Sequence, residues 1–148
     1  MLHFLLHGVD FSALGLLADR LAVGSFFALA GAHKIFWQDR RARFLSGFEK
    51  WGLKSPAWGY VIPGGEFAGG LGLIFGALTV PAAIGLLVIC AGACGLDAFG
   101  RVTAKKWHER VSDYLYLPEV LYLVLLGFII AQGAGAFSLD ALILGRFA

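Results

Sequence analysis

Four long apolar stretches limit what this chain can become. They run from about Phe11 to Trp37, Trp58 to Leu78, Val80 to Phe99 and Leu117 to Phe137. A helix needs about 20 mostly apolar residues to cross the hydrocarbon core of a bilayer, and each stretch meets that length. Backbone amides and carbonyls must find partners within the chain when lipid is the solvent, so helices are the expected form. No ten-residue alternating pattern points to a barrel. The second stretch meets the third at Thr79-Val80-Pro81, which predicts a tight hairpin, with Pro81 in the first turn of the next helix. The expected fold is an all-α membrane protein, a single domain over residues 1–148 built as a four-transmembrane-helix bundle.

Composition agrees. Hydrophobic residues make up 59% of the 148-residue chain and charged residues 15%. Soluble domains carry roughly 45–50% apolar and 25% charged residues, and a domain this small has too much surface to hide the excess. A net charge of +2, with most of the cations in short loops between apolar runs, argues against a nucleic-acid partner. The lipid bilayer is the first partner.

The cations orient the spans. Lys34, Arg40, Arg41, Arg43, Lys50 and Lys54 cluster after the first stretch, and Arg101, Lys105, Lys106 and Arg110 after the third. Only Arg20 and Arg146 lie at the other ends. The positive-inside rule puts the two basic loops in the cytoplasm and both termini outside. Trp37, Trp51, Trp58 and Trp107 fall on the same side and suit an aromatic belt. Within the first loop, Phe44, Leu45, Phe48 and Trp51 recur at helical spacing among charged residues, which predicts an interfacial amphipathic helix between spans one and two. Met1 to Asp10 lacks a basic head and a small-residue cleavage site, so it is expected to be retained at the interface.

Small residues mark helix contacts. Gly65 and Gly69 are four apart, as are Gly72 and Gly76, a spacing that lets helix backbones approach within or between chains. Gly70-Leu71-Gly72 lacks the strand and acidic residue of a nucleotide fingerprint.

Charge at membrane depth is the remaining signal. Leu21 to Ala32 covers only about 18 Å of helix, so Asp19-Arg20 and His33-Lys34 must sit inside or at the edges of the first span. Counting depth gives two polar layers. An inner one holds His33, Lys34 and Glu66, with Asp97 and Glu119 near helix ends as simple caps. An outer one holds Asp19, Arg20, Gln132, Ser138 and Asp140. Glu66 is the deepest carboxylate and needs a partner, either as a structural pair or as a contact for a ligand head group. Depth matching pairs Glu66 with His33 or Lys34, and Arg20 with Asp140 or Asp19 as structural ion pairs. Cys90 and Cys94 are four apart on one helix face, a poor geometry for a disulfide, and read first as small apolar fillers. They and His3 and His7 are weak metal candidates, since no third ligand adjoins either pair.

Several of these residues resemble the DoxX family of small four-helix membrane proteins. The matching pieces are Arg20-Leu21-Ala22 leading to Ala30-Gly31-Ala32-His33-Lys34; the run Gly65-Glu66-Phe67-Ala68-Gly69-Gly70 through Gly76; and Gly133-Ala134-Gly135-Ala136-Phe137-Ser138-Leu139-Asp140. The resemblance implies a bacterial inner-membrane protein. It also implies company with redox complexes handling quinones or thiols, with amine-dehydrogenase maturation, or with metals. Related quinone-reducing four-helix enzymes use a C-x-x-C pair, which Cys90 and Cys94 do not supply. No nucleophile with an activating base, and no haem or flavin signature, marks an enzyme. The expected role is an accessory, stabilising subunit of a quinone- or thiol-linked membrane complex or a homo-oligomer. The alternatives are a quinone-binding oxidoreductase subunit acting through Glu66, His33 and Lys34, with quinone as cofactor, and a small metal- or solute-handling protein.

Overall fold

The computed structural model describes residues 12–49, 52, 54–95 and 107–144. Met1–Asp10 with His3 and His7, as well as Lys50, Trp51, Asp97, Arg101, Lys105, Lys106 and Arg146, lie outside the described residues. Among the described residues the chain is all-helical. The helices are α1 (Ser12–Phe36), α2 (Gln38–Glu49), α3 (Trp58–Phe75), α4 (Thr79–Ala93), α5 (Trp107–Leu115), α6 (Pro118–Gln132) and α7 (Leu139–Leu144).

Local chemistry sets the boundaries. α3 ends at Gly76, whose left-handed φ of 65° suits glycine. The amides of Gly76 and Ala77 then bond the carbonyls of Leu73 and Gly72, which closes the helix end. α4 starts at Thr79, with Pro81 in its first turn, where a missing N–H leaves no bond unmade. Pro118 opens α6 after an extended Leu117. α6 stops at Gln132, short of Phe137, because Gly133 and Gly135 both take positive φ and turn the chain. The fourth apolar stretch is therefore helix followed by a loop. α5 follows the basic loop, whose charges give no sign of a helix. Its Trp107, Val111 and Leu115 repeat every four residues, and its axis meets that of α6 at 61°.

The four long helices touch in cyclic order: α1 on α3, α3 on α4, α4 on α6, and α6 on α1. Val23 and Phe27 of α1, Leu73 of α3, Leu86 of α4, and Leu126 and Ile129 of α6 form the buried core. Tyr122 of α6 stacks on Phe26 at 4.1 Å and meets Phe27 edge-on at 5.6 Å, joining α6 to α1. The closest approach is between α1 and α3. A Cβ on Gly70 would strike the Ala28 amide and lie 2.6 Å from the Gly24 carbonyl, and one on Gly31 would lie 2.5 Å from the Pro63 carbonyl. Gly65 and Gly69 instead face Ile89 and Leu86 of α4, and Gly72 faces Ala82 at the hairpin.

Among the described residues, α1 alone is long and apolar enough to cross a membrane, and α5 with α6 passes as a bent pair. α4 and α6 have 15 residues each, about 22 Å of helix. α3 carries Glu66 and six glycines in 18 residues, which dilutes its hydropathy. The surface is nonetheless apolar on every long helix: Leu29 of α1 is 60% exposed, Val61 of α3 63%, Val88 of α4 63% and Val124 of α6 65%. Arg20, by contrast, is 1% exposed and Glu66 6%.

Candidate functional site

The inner polar layer is built where α1 ends. Lys34 lies in the last turn of α1, and Glu66 lies in the middle of α3 on the face turned to α1. Gly31 lets the two backbones close up one turn away, which brings the side chains together. Lys34 Nζ donates to both Glu66 carboxylate oxygens, at 2.6 Å each. The Lys34 ammonium also stands 4.9 Å from the Phe44 ring centroid. This two-sided clasp satisfies the deepest carboxylate with a charge-assisted pair.

His33 is next in sequence but turns away from the pair. It is exposed and packs edge-on against Trp37 at 4.9 Å. Neighbouring helix residues point about 100° apart, so His33 and Lys34 cannot both face α3. His33 instead lines an open pocket of about 570 Å³ between α1 and α2, with Phe26, Leu29 and Ala30 as its apolar wall. Lys34, Arg40, Arg43 and Phe44 complete the lining.

α2 is the helix expected in the first loop, and none of its residues is fully buried. Phe44, Leu45 and Phe48 are half-buried on its inner side. Arg41 holds it in place: its guanidinium donates to the Ile35 carbonyl at 2.9 Å and lies 4.6 Å from the Tyr60 ring centroid. A cation on an orphan carbonyl at a helix C-terminus is a favourable cap.

The outer layer is put together differently from the expected ion pair. Arg20 donates to the Phe137 carbonyl, while its Nε and Nη1 have no hydrogen-bond partner. The two Asp140 oxygens accept from the Leu78 and Thr79 amides, at 2.8 Å each. With both oxygens engaged by the start of α4, Asp140 stays beyond ion-pair distance of Arg20. Asp19 does not pair with Arg20 either, since adjacent residues diverge around a helix; its Oδ2 is without a partner. Burial pushes the Asp140 carboxyl up, but the Thr79 and Leu78 hydrogen bonds and the Arg20 charge outweigh it and hold the group below its ordinary value. Ser138 caps α7: its hydroxyl accepts from the Ala141 amide at 3.0 Å and donates to the Gly135 carbonyl at 2.7 Å. The Asp140 amide bonds the Gly76 carbonyl at 2.9 Å. Residues 137–140 thus fasten the α3–α4 turn and α1 together. Gly76 belongs to this knot, since a Cβ there would strike Arg20 and lie 2.5 Å from Ser138 Cβ.

Cys90 and Cys94 are buried and form no disulfide. Cys90 donates to the Glu119 carbonyl at 3.3 Å, tying α4 to the start of α6. Among the described residues no three of His, Cys, Asp and Glu gather as a metal site.

Three features escape sequence reasoning. They are the Gly24–Gly31–Gly70 approach, the α5 helix and the capping of α4 by Asp140. Gly24, Ala28 and Gly31 form a small-residue face once alanine is counted with glycine, which is the signal for the first.

A search of curated proteins found no match, and neither did a search of solved structures. The family model described as DoxX matches residues 15–98, more than half of the chain. The match takes in the Arg20 segment, Lys34 and the Glu66 run. With that match and the residues above, the chain belongs to the DoxX family.

Proposed function

We propose that this protein is an integral subunit of a redox-linked membrane complex, with an accessory, stabilising role. In this reading α1, α3, α4 and α6 all cross the bilayer of a bacterial inner membrane as a four-helix bundle. α2 lies in the cytoplasmic interface with the basic loops, and both termini are outside. One observation carries the membrane part. Exposed valine and leucine cover all four long helices, while an arginine and a glutamate are held inside. That inversion is favourable only when the surrounding solvent is apolar. Helices of about 22 Å fit if the bilayer thins locally or flanking residues reach the interface.

The polar geometry supports the accessory role. Both Glu66 oxygens and the Lys34 ammonium are spent on each other, and the outer knot holds helix ends together. These contacts fasten helices to one another. The rival role, a quinone-binding subunit acting through Glu66, His33 and Lys34, has less support, because Lys34 and Glu66 are engaged with each other and His33 packs against Trp37.

Native membranes provide the test. The chain should resist alkaline carbonate and leave the membrane only in detergent. In mild detergent it should co-purify with an oxidoreductase, and that enzyme's assembly should fall when the chain is deleted. Release by carbonate would refute the membrane reading. Quinone turnover by the isolated chain would refute the accessory one.

A further inference from the structure

The pocket between α1 and α2 differs in chemistry at its two ends. Its deep end is the outward side of α1, where Phe26 is 42% and Leu29 60% exposed. Its shallow end carries Lys34, Arg40 and Arg43, and no carboxylate is among its lining residues. Lys34 is neutralised by Glu66. Arg40 makes no hydrogen bond or ion pair with any described residue. Arg43 uses only its Nε, on the Asp39 carbonyl at 3.3 Å. Toward the described residues, two guanidinium groups therefore have donors to spare at the mouth of an apolar groove.

We propose that this pocket is a binding site for an anionic glycerophospholipid. The phosphodiester sits between Arg40 and Arg43, whose planar forks suit phosphate oxygens. One acyl chain runs over Leu29 and Phe26. Phe26 to His33 spans about 10 Å of helix, so headgroup and chain contacts are separated along the bilayer normal, as they are in a lipid. A neutral quinone would satisfy the apolar wall and leave the arginines unanswered, so charge favours the lipid. The inference rests on the membrane reading above and goes beyond it by naming an occupant.

The test uses the full chain, purified in a neutral detergent and delipidated. Phosphatidylglycerol and phosphatidylcholine of identical chains are titrated and followed by native mass spectrometry. Phosphatidylglycerol should bind at least about tenfold more tightly, since each cation near a surface contributes substantially to anionic-lipid attraction. R40Q/R43Q should abolish that preference, while K54Q, a cation outside the pocket, should retain it. Glycerol phosphate at millimolar concentration should fail to displace the lipid, because it lacks the chain. Equal binding of the two lipids, an equal loss in K54Q, or displacement by glycerol phosphate would overturn the proposal. So would displacement by a short-chain quinone at equimolar concentration. Circular dichroism checks that R40Q/R43Q is folded. If it is not, R40K/R43K replaces it: point charges without the planar fork should keep only part of the preference, and a full or absent preference would overturn the site. Carbonate extraction is a separate measurement, so a chain that stays in the membrane but shows no lipid preference refutes the site alone.

Discussion

The Lys34–Glu66 pair permits a prediction with a built-in asymmetry. Removing one partner of a fully buried pair costs about 3–5 kcal/mol, whereas exposed pairs are worth about 0–1 kcal/mol. This pair lies between those limits, and its two ends differ: the Lys34 side chain is 24% exposed and that of Glu66 is 8%. K34M leaves a carboxylate stranded against α1 and should cost about 2–3 kcal/mol. E66Q leaves an ammonium that still has an open edge and the Phe44 ring, so the loss should be about 1–2 kcal/mol. K34M/E66Q strands no charge and should fall within about 1 kcal/mol of the parent. The coupling between the two sites is then roughly 2 kcal/mol or more. Reversible unfolding in mixed micelles, followed by circular dichroism, measures all four proteins. If E66Q is the more damaging single change, the burial argument is wrong. If the two losses simply add, the pair contributes nothing as a pair.

Other parts of the molecule yield sharper contrasts. G70A should destabilise by roughly 2–3 kcal/mol because its methyl meets the backbone of α1, which cannot turn aside. G64A, on the same helix with open space around it, should be neutral or gain up to about 1 kcal/mol, and thermal melts in one detergent compare the two. Asp140 should make stability acid-sensitive. Its carboxyl is held below the ordinary 3.8, so its contribution is complete above that value and disappears as pH falls through the lowered one. D140N should lose about 1–2 kcal/mol at neutral pH and lack that component of the acid limb, which a pH series of melts would reveal. For topology, a cysteine at Ser46 should be shielded from an impermeant maleimide in whole cells, and one at Ala148 should react; the reverse pattern inverts the orientation. C90A/C94A should retain fold and assembly, with intact mass without reductant showing two free thiols in the parent.

Much of the inner layer is legible in sequence because depth along a helix is one-dimensional. Counting residues from Trp58 puts Glu66 level with the end of α1, and the cost of a lone charge there demands a cation. Rotation about the helix axis is less legible, and it separates His33 from Lys34. The outer layer resists sequence reading for another reason. A carboxylate can answer a cation or two amides equally well, and only the three-dimensional turn at Leu78 and Thr79 brings those amides to Asp140. Glycine spacing identifies α3 as a packing helix. It leaves out the partner face, because Gly24 and Gly31 are seven apart with Ala28 between them. The end of α6 depends on Gly133 taking positive φ, a choice that an apolar run of residues does not show.

The Asp140 cap also gives the molecule an order of assembly. Its carboxylate lies 62 residues downstream of the Leu78 amide it receives. During translation, the α3–α4 hairpin is synthesised before that carboxylate exists. Until residue 140 follows, the first amides of α4 have no side chain to answer them, and Arg20 has no Phe137 carbonyl. The turn is therefore complete only once residues 137–140 are in place. A chain arrested before residue 137 keeps its core residues on all four long helices but lacks both the carboxylate that caps α4 and the carbonyl that Arg20 bonds.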